Sequence, residues 1–442
     1  MEKRHKEFLR SVVREMRRTL AGYSDANGVW QRGDLDRELE RLGVAHDGTV
    51  TPLDANQNLS EAEKRAWYAA EAALEAAPSG KRGATREEFV ERAAYSWINR
   101  LLALRVMEAR GLIDETLRAN PDYGNISEAL YVLRQTEPAR ASGPDGGWWA
   151  VVEDACDAQA KTLPGLFDLN DPTVALRPST KGLLRCIALV GFAPNGFELA
   201  DSDATFADPD CIGWAYQFYQ EEAKACIDTK VKRGGKAENR AEIAAKTQLF
   251  TEPYIVKYLL QNSLGRSYHE AYPDSKLPET WEYYVKLPDE SGRKPSVKSL
   301  AELTLMDPCV GSGHFLREAF DMYVAMYRER YPQMSAQEIA DRILGEHLYG
   351  IDIDPRATQL AAVTLYLRAW ELVRDEQRQQ KVSGGGGFCP RVVNIVSAPG
   401  ELPNRALENH LKRHPEDRVL RPLLEIVFSS MCHADMLGSL LR

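Results

Sequence analysis

The chain has 442 residues, enough for two or three domains, and 44% of them are hydrophobic, enough to build real cores. A formal net charge of −9 and a pI of about 5.6 exclude a uniformly basic nucleic-acid binder, although a local basic groove would be sufficient for DNA. Seven cysteines lie apart at 156, 186, 211, 226, 309, 389 and 432, with no Cys-x-x-Cys pair, which argues against a zinc site or a disulfide framework and fits a reducing cytoplasm. There is no N-terminal apolar leader core and no run of about 18 apolar residues. The sequence therefore reads as a soluble cytoplasmic protein that makes no membrane contact.

Residues 1–20 alternate basic and apolar positions. Lys3, Arg4, Lys6, Arg10, Arg14, Arg17 and Arg18 interleave with Phe8, Leu9, Val12, Val13 and Met16 at helical spacing. The basic stripe is either a solvated face or a contact for a DNA backbone or a partner. Residues 21–60 read as helices and polar loops, and 60–82 as an alanine- and glutamate-rich stretch without a catalytic group. A helix is expected from Thr85, where Thr85-Arg86-Glu87-Glu88 has a capping-box pattern, to Ala109. Its middle is apolar on nearly every side, so Tyr95 and Trp97 are expected in a core. Residues 110–200 continue as short helices broken by prolines, with a loop at 141–147. Residues 212–220 predict an aromatic-rich helix. The basic residues Lys230, Lys232, Arg233 and Lys236 around Gly234-Gly235 predict a loop that is either solvated or touches nucleic acid.

Chemistry concentrates in four later segments. In the first, Thr247 to Leu260, Thr251 can cap a helix whose first turn holds Pro253. The second is a short apolar strand, Leu303 to Met306, that runs through Asp307-Pro308-Cys309-Val310-Gly311-Ser312-Gly313 into a helix from His314. Strand, glycine turn, helix is the opening unit of a nucleotide-type α/β fold. The dinucleotide fingerprint does not fit, because Leu316 holds the third glycine's place, and no Gly-Lys-Ser/Thr completes a P-loop. The third segment, Leu348 to Pro355, reads as a second strand ending in acid at Asp352. That carboxylate is either a ribose ligand or a plain helix-start residue, and Asp354 caps the helix that follows from Arg356 to Glu371. The fourth, Arg391 to Gly400, reads as a third strand. The four glycines at 384–387 read as a loop and not as a phosphate cradle. A helix is expected at Val419 to Met431.

The second segment resembles motif I of S-adenosylmethionine-dependent DNA methyltransferases of the adenine-modifying class, Asp-Pro-x-x-Gly-Ser-Gly-x-Phe, here Asp307 to Phe315. The first resembles motif X of the same enzymes in its Phe250-Thr251-Glu252-Pro253, and Asp352-Ile353 resembles motif II. The resemblance implies S-adenosylmethionine as cofactor, with Phe250, Thr251, Pro253, Asp307, Pro308, Gly311, Ser312, Gly313, Asp352 and Ile353 as its binding residues and no metal. In that scheme Asp307 accepts from the ammonium group, Asp352 binds ribose and Ile353 packs on adenine. The family's aspartate after the third strand is missing, so Ser397 or a backbone group would meet the adenine amino group.

Four further stretches are similar to PglX-type adenine methyltransferases of BREX phage-defence systems, with relatives in DISARM and in fused restriction-modification proteins. They are Ala94 to Leu101, Ile212 to Tyr219, Thr247 to Thr251 and Ala434 to Leu441. The fold implied is α/β: a mainly helical N-terminal region followed by the first part of a Rossmann-like methyltransferase sheet. The domains expected are 1–200 (helical), 201–300 (a helical lead-in with motif X) and 301–442 (the first half of the Rossmann-like domain). The function implied is the cofactor-binding part of a DNA adenine-N6 methyltransferase, with double-stranded DNA and other defence proteins as partners. The family's catalytic Asn/Asp-Pro-Pro-Tyr/Phe does not occur in the 442 residues, so no catalytic residue is expected within the chain, which reads as the front of a longer enzyme. The alternative is a non-catalytic cofactor-binding or scaffold subunit that needs a second polypeptide. A fused nuclease is disfavoured, since Asp114-Glu115-Thr116 does not form a nuclease core.

Overall fold

A computed structural model of the chain describes residues 1–25, 29–53, 59–75, 80–169, 174–194, 196–236, 251–287, 297–380 and 393–397, with isolated positions 77, 171, 295, 411, 420–422 and 425. It is mixed α/β, mostly helical, with two small sheets. Two units separate: Met1–Tyr219 with Ser335–Asp341 and Val363–Arg391, and Gln220–Met334 with Arg342–Ala362 and Val392–Arg442. No helix of the described residues is long and apolar enough to cross a membrane.

The first unit is built on helices α1 (Lys3–Leu20), α2 (Asp34–Arg41) and α3 (Arg82–Ala109). Helix α1 buries Phe8, Leu9, Val12, Val13, Met16 and Leu20, each worth roughly 1.5–3 kcal/mol on burial. Its basic side chains turn to partners inside the unit. Arg4 pairs with Asp201 at 2.8 Å and Arg17 with Glu91 at 3.2 Å. Lys6 sits 3.8 Å from the Trp214 ring centroid and Arg10 lies 4.8 Å from that of Phe218. Much of the stripe is thus committed internally.

Residues 22–32 hold a short antiparallel pair, β1 (Gly22–Ser24) and β2 (Trp30–Arg32), where only helix and loop are expected from the sequence. Gly22 permits it, with φ +100 and no room for a side chain against Gln31 O at 2.5 Å. Helix α3 starts at Arg82, ahead of Thr85. The Thr85 N–H already bonds to Lys81 O at 2.9 Å, so Thr85 lies inside the first turn and caps nothing. Tyr95 and Trp97 are core residues, and the Trp97 indole N–H donates to Leu176 O at 2.8 Å. The expected aromatic helix is part of α4 (Cys211–Lys232), and Tyr219 meets the Tyr95 ring edge-on at 4.6 Å. Lys230 and Lys232 belong to the last turn of α4, not to a loop, where cations suit the helix dipole.

The second unit centres on a parallel sheet in the order β3 (Leu305–Asp307), β4 (Leu348–Asp352), β5 (Asn394–Ser397). The pairing sets Leu305 beside Leu348 and Gly350 beside Ile395. Helix α6 (His314–Arg330) follows β3, and helix α7 (Pro355–Gln379) follows β4. Helix α5 (Pro253–Asn262) packs on α6. A Cβ at Gly350 would lie 2.6 Å from Ile395 Cδ1 and 2.9 Å from Val310 Cγ2, so a larger residue there would have to displace those side-chain ends. Met306, Tyr349 and Val396 alternate onto the opposite face and are exposed.

The lead into β3 is fixed by a buried imidazole. His347 Nδ1 lies 2.7 Å from Leu303 O, and Nε2 lies 2.6 Å from the Tyr327 hydroxyl. Burial pushes the His347 pKa down and that of Tyr327 up to about 12. A neutral ring therefore donates from Nδ1 and accepts from Tyr327 at Nε2. The expected third strand is β5; residues 391–392 and 398–400 lie outside the described residues, as do the glycines at 384–387, most of 419–431, and 434–441.

Candidate cofactor site

Strand β3 delivers Asp307 to the start of the glycine turn. The Asp307 carboxylate accepts the Cys309 N–H at 3.0 Å, which bends the chain away from the sheet. Val310 N–H returns to Ile351 O at 2.9 Å, and Gly313 N–H closes on Val310 O at 2.9 Å. Gly311 N–H donates to Asp352 Oδ2 at 2.9 Å. The turn and the acidic end of β4 are therefore one assembly.

Gly311 and Gly313 both have positive φ, +53 and +84, but differ in surroundings. A Cβ at Gly311 would meet nothing within 4 Å. A Cβ at Gly313 would lie 3.0 Å from Ala361 Cα, because the start of α6 presses on α7. Gly313 is the N-cap of α6 and makes no side-chain cap bond, as a glycine cannot. Ser312 and His314 are buried, and Pro308 is exposed.

Asp352 accepts two backbone N–H groups, Gly311 at Oδ2 and Asp354 at Oδ1, the latter at 2.9 Å. A carboxylate offers about four acceptor positions, so Asp352 retains capacity for further donors. Asp307 has its pKa raised, first by burial and then by the negative charge of Asp352. Two half-buried carboxylates that repel each other favour a cation or hydroxyl donors beside them. Ile353 is 40% exposed next to this pair. Ser397 stands beside Asp352 in the strand register. Asp354 is the helix cap expected from the sequence, accepting the Arg356 N–H at 3.0 Å.

The motif X segment is only partly in view. Phe250 lies outside the described residues. Thr251 and Pro253 are half-buried, and Pro253 opens α5. Glu252, not Thr251, holds the N-cap position, with φ −58 and ψ 137 and no side-chain cap bond. Thr251 comes one residue too early to cap. Helix α5 packs on α6, yet no hydrogen bond joins Thr251 or Pro253 to the glycine turn among the described residues. Sequence reasoning passed over Arg356 and Gln220, which grip the Asp352–Pro355 loop from behind. An arginine two residues after a capping aspartate was the available signal.

No protein-family model matches the chain. Two curated proteins do. The adenine-specific methyltransferase BrxX of Escherichia coli O9:H4 (strain HS) is 32% identical over 343 residues, 70% of this chain. The adenine-specific methyltransferase PglX of Lacticaseibacillus casei (strain Zhang) is 28% identical over 421 residues, 83% of this chain. This chain is a relative of the PglX and BrxX adenine-specific methyltransferases. It spans 26% of the length of BrxX and 33% of that of PglX. Among solved structures, the type IIL restriction-modification enzyme MmeI in complex with DNA aligns with 80% of this PglX relative and 41% of its own chain. At 16% identity and a TM-score of 0.32, that alignment is too loose to define a shared fold.

Proposed function

We propose that the second unit of this PglX relative binds S-adenosylmethionine and serves as the methyl-donor part of a DNA adenine-N6 methyltransferase in phage defence. The observation that carries the reading is the 2.9 Å bond from Gly311 N–H to Asp352, which joins the motif I turn to the motif II acid. The open side of Gly311 leaves room for a ligand to approach the backbone. Asp307 would hold the ammonium group, and the spare acceptor positions of Asp352 would take ribose hydroxyls. Exposed Ile353 would cover one side of the adenine, and Ser397 would stand near its amino edge. The uncapped start of α6 would face the carboxylate end. Thr251, Pro253 and Phe250 would close over the methionine end. The cofactor supplies an electrophilic sulfonium methyl; the residues named here bind and orient it.

On this reading the β3–β4–β5 sheet is the first part of a Rossmann-like domain within residues 301–442, preceded by the helical regions 1–200 and 201–300. The acceptor would be an adenine of double-stranded DNA, turned out of the stack to be reached. Its amino nitrogen needs an acceptor pocket, and the Asn-Pro-Pro-Tyr element that supplies one in the family does not occur in these 442 residues. The acceptor pocket is accordingly assigned to polypeptide other than these residues, with double-stranded DNA and other defence proteins as partners. Titration calorimetry with S-adenosylmethionine tests the proposal. Binding by the wild-type chain that weakens in Asp307→Ala and Asp352→Ala is expected. No heat, or equal affinity in all three, would end it.

A further inference from the structure

A half-buried arginine, its side chain 20% exposed, sits directly behind the proposed donor site. Gln220 is 6% exposed, and with its amide oxygen turned inward it accepts from both terminal nitrogens of Arg356, at 2.9 and 3.2 Å. The same guanidinium meets Asp354 side-on, Nε to Oδ1 at 2.9 Å and Nη2 to Oδ2 at 2.9 Å. Asp354 is 5% exposed. Its own N–H goes to Asp352, whose other oxygen holds Gly311. The run Gln220–Arg356–Asp354–Asp352–Gly311 is thus continuous through hydrogen bonds.

Such a pair, with only Asp354 fully buried, gains little stability on balance, since desolvation of the carboxylate offsets much of the attraction. What a bidentate guanidinium adds is direction, because its planar fork accepts few geometries. The part it directs is the loop Asp352–Pro355, which carries Asp352 and exposed Ile353. We propose that Arg356, held by Gln220 of helix α4, is a positioning residue for the donor site. It acts through Asp354 to fix where Asp352 and Ile353 stand. The inference rests on the donor-binding reading and adds α4 to the machinery of that site.

The test uses the full 442-residue chain with Arg356→Lys, Arg356→Ala and Gln220→Ala. Lysine keeps the charge but loses the fork; Gln220→Ala is the milder change should the arginine variants fold poorly. S-adenosylmethionine affinity is measured by calorimetry. Loop placement is read from the fluorine resonance of 5-fluorotryptophan at Ile353→Trp, a signal that a purely stabilising role would leave in place. Arg356→Lys and Gln220→Ala should each weaken binding roughly tenfold or more, as when the support of a binding group is lost, and shift that resonance. Arg356→Ala should be worse than Arg356→Lys. Wild-type affinity with an unmoved resonance in Arg356→Lys and Gln220→Ala would overturn the inference and leave the donor site standing. If the wild-type chain binds no S-adenosylmethionine, the donor reading falls, and the resonance alone decides whether Arg356 sets the loop.

Discussion

Replacing Gly311 and Gly313 separately by alanine should separate ligand approach from packing. At Gly311, φ is +53 and a Cβ meets nothing within 4 Å. The cost is then the left-handed backbone alone, about 1–2 kcal/mol. At Gly313, φ is +84 and the Cβ would stand 3.0 Å from Ala361 Cα and 3.1 Å from its Cβ. Backbone cannot yield as a side-chain tip can, so overpacking of about 1–3 kcal/mol adds to the left-handed cost. Hydrogen exchange of amides in α6 and β4 reads the stability of this unit without assuming that the whole chain unfolds in one step. Gly313→Ala should lose clearly more protection than Gly311→Ala. Calorimetry should show the converse emphasis for Gly311→Ala, whose protein stays folded but binds S-adenosylmethionine at least about tenfold more weakly, a loss of about 1.4 kcal/mol. Wild-type affinity in Gly311→Ala would refute ligand approach to this turn. Equal protection in the two variants would refute the close packing of α6 on α7.

Asp307→Asn should stabilise the ligand-free protein at neutral pH, by the ~0.5–2 kcal/mol usual for relieving such a site, while weakening donor binding. The sign follows from the raised pKa: between the unfolded and folded values the folded state binds more protons, so the cost of the buried carboxylate grows as pH rises through that window. Thermal melts from pH 4 to 8 should therefore separate wild type from Asp307→Asn most at the upper end; coincident curves would contradict the burial argument. In the first unit, buried Arg86 donates to Asp36 at 2.5 Å and to Val44 O at 3.2 Å. Arg86→Ala leaves Asp36 with Arg32 as its remaining cation and should cost about 1–3 kcal/mol in denaturant unfolding, whereas no measurable loss would mean the pair is dispensable. Lys6→Ala removes a cation from the Trp214 ring and should cost ~0.5–1 kcal/mol in the same assay. The purified 442-residue chain should transfer no labelled methyl group to double-stranded DNA; incorporation above background would show an acceptor site within it.

What was legible in the sequence was local. Asp307 to Gly313 announced a turn because strand, acid and two glycines stand within a few residues, and the helix from His314 followed. The tryptophan and tyrosine of α3 read as core because apolar residues surround them in sequence. The errors have two causes. Thr85 and Thr251 have good capping chemistry, yet the helices began at Arg82 and Pro253, where backbone geometry rather than the hydroxyl fixed the start. The basic stripe of α1 read as an outward face because its partners are remote, Asp201 being 197 residues from Arg4. Arg105 likewise pairs with Asp203, 98 residues on. A charge pattern cannot disclose a counter-charge that only the tertiary fold delivers.

The glycines carry this further. The resemblance implied one role for Gly311 and Gly313, binding the cofactor. The structure divides them: Gly313 is pressed by the Ala361 backbone at 3.0 Å, a contact that cannot easily yield. Gly311 alone faces open space, and its N–H is the one that reaches Asp352. A glycine motif therefore mixes positions that build the turn with one that exposes it. Because Asp352 is held by the turn it would serve, and Asp354 and Arg356 hold the loop behind it, the acid and the glycine should fail together. Loss of the Gly311–Asp352 bond, by Asp352→Ala, should loosen the turn as well as remove a ligand group. Its effect on affinity should exceed that of Asp307→Ala, which removes a ligand group but leaves the bond intact. The opposite order would place the binding energy on Asp307 and make Asp352 a structural residue.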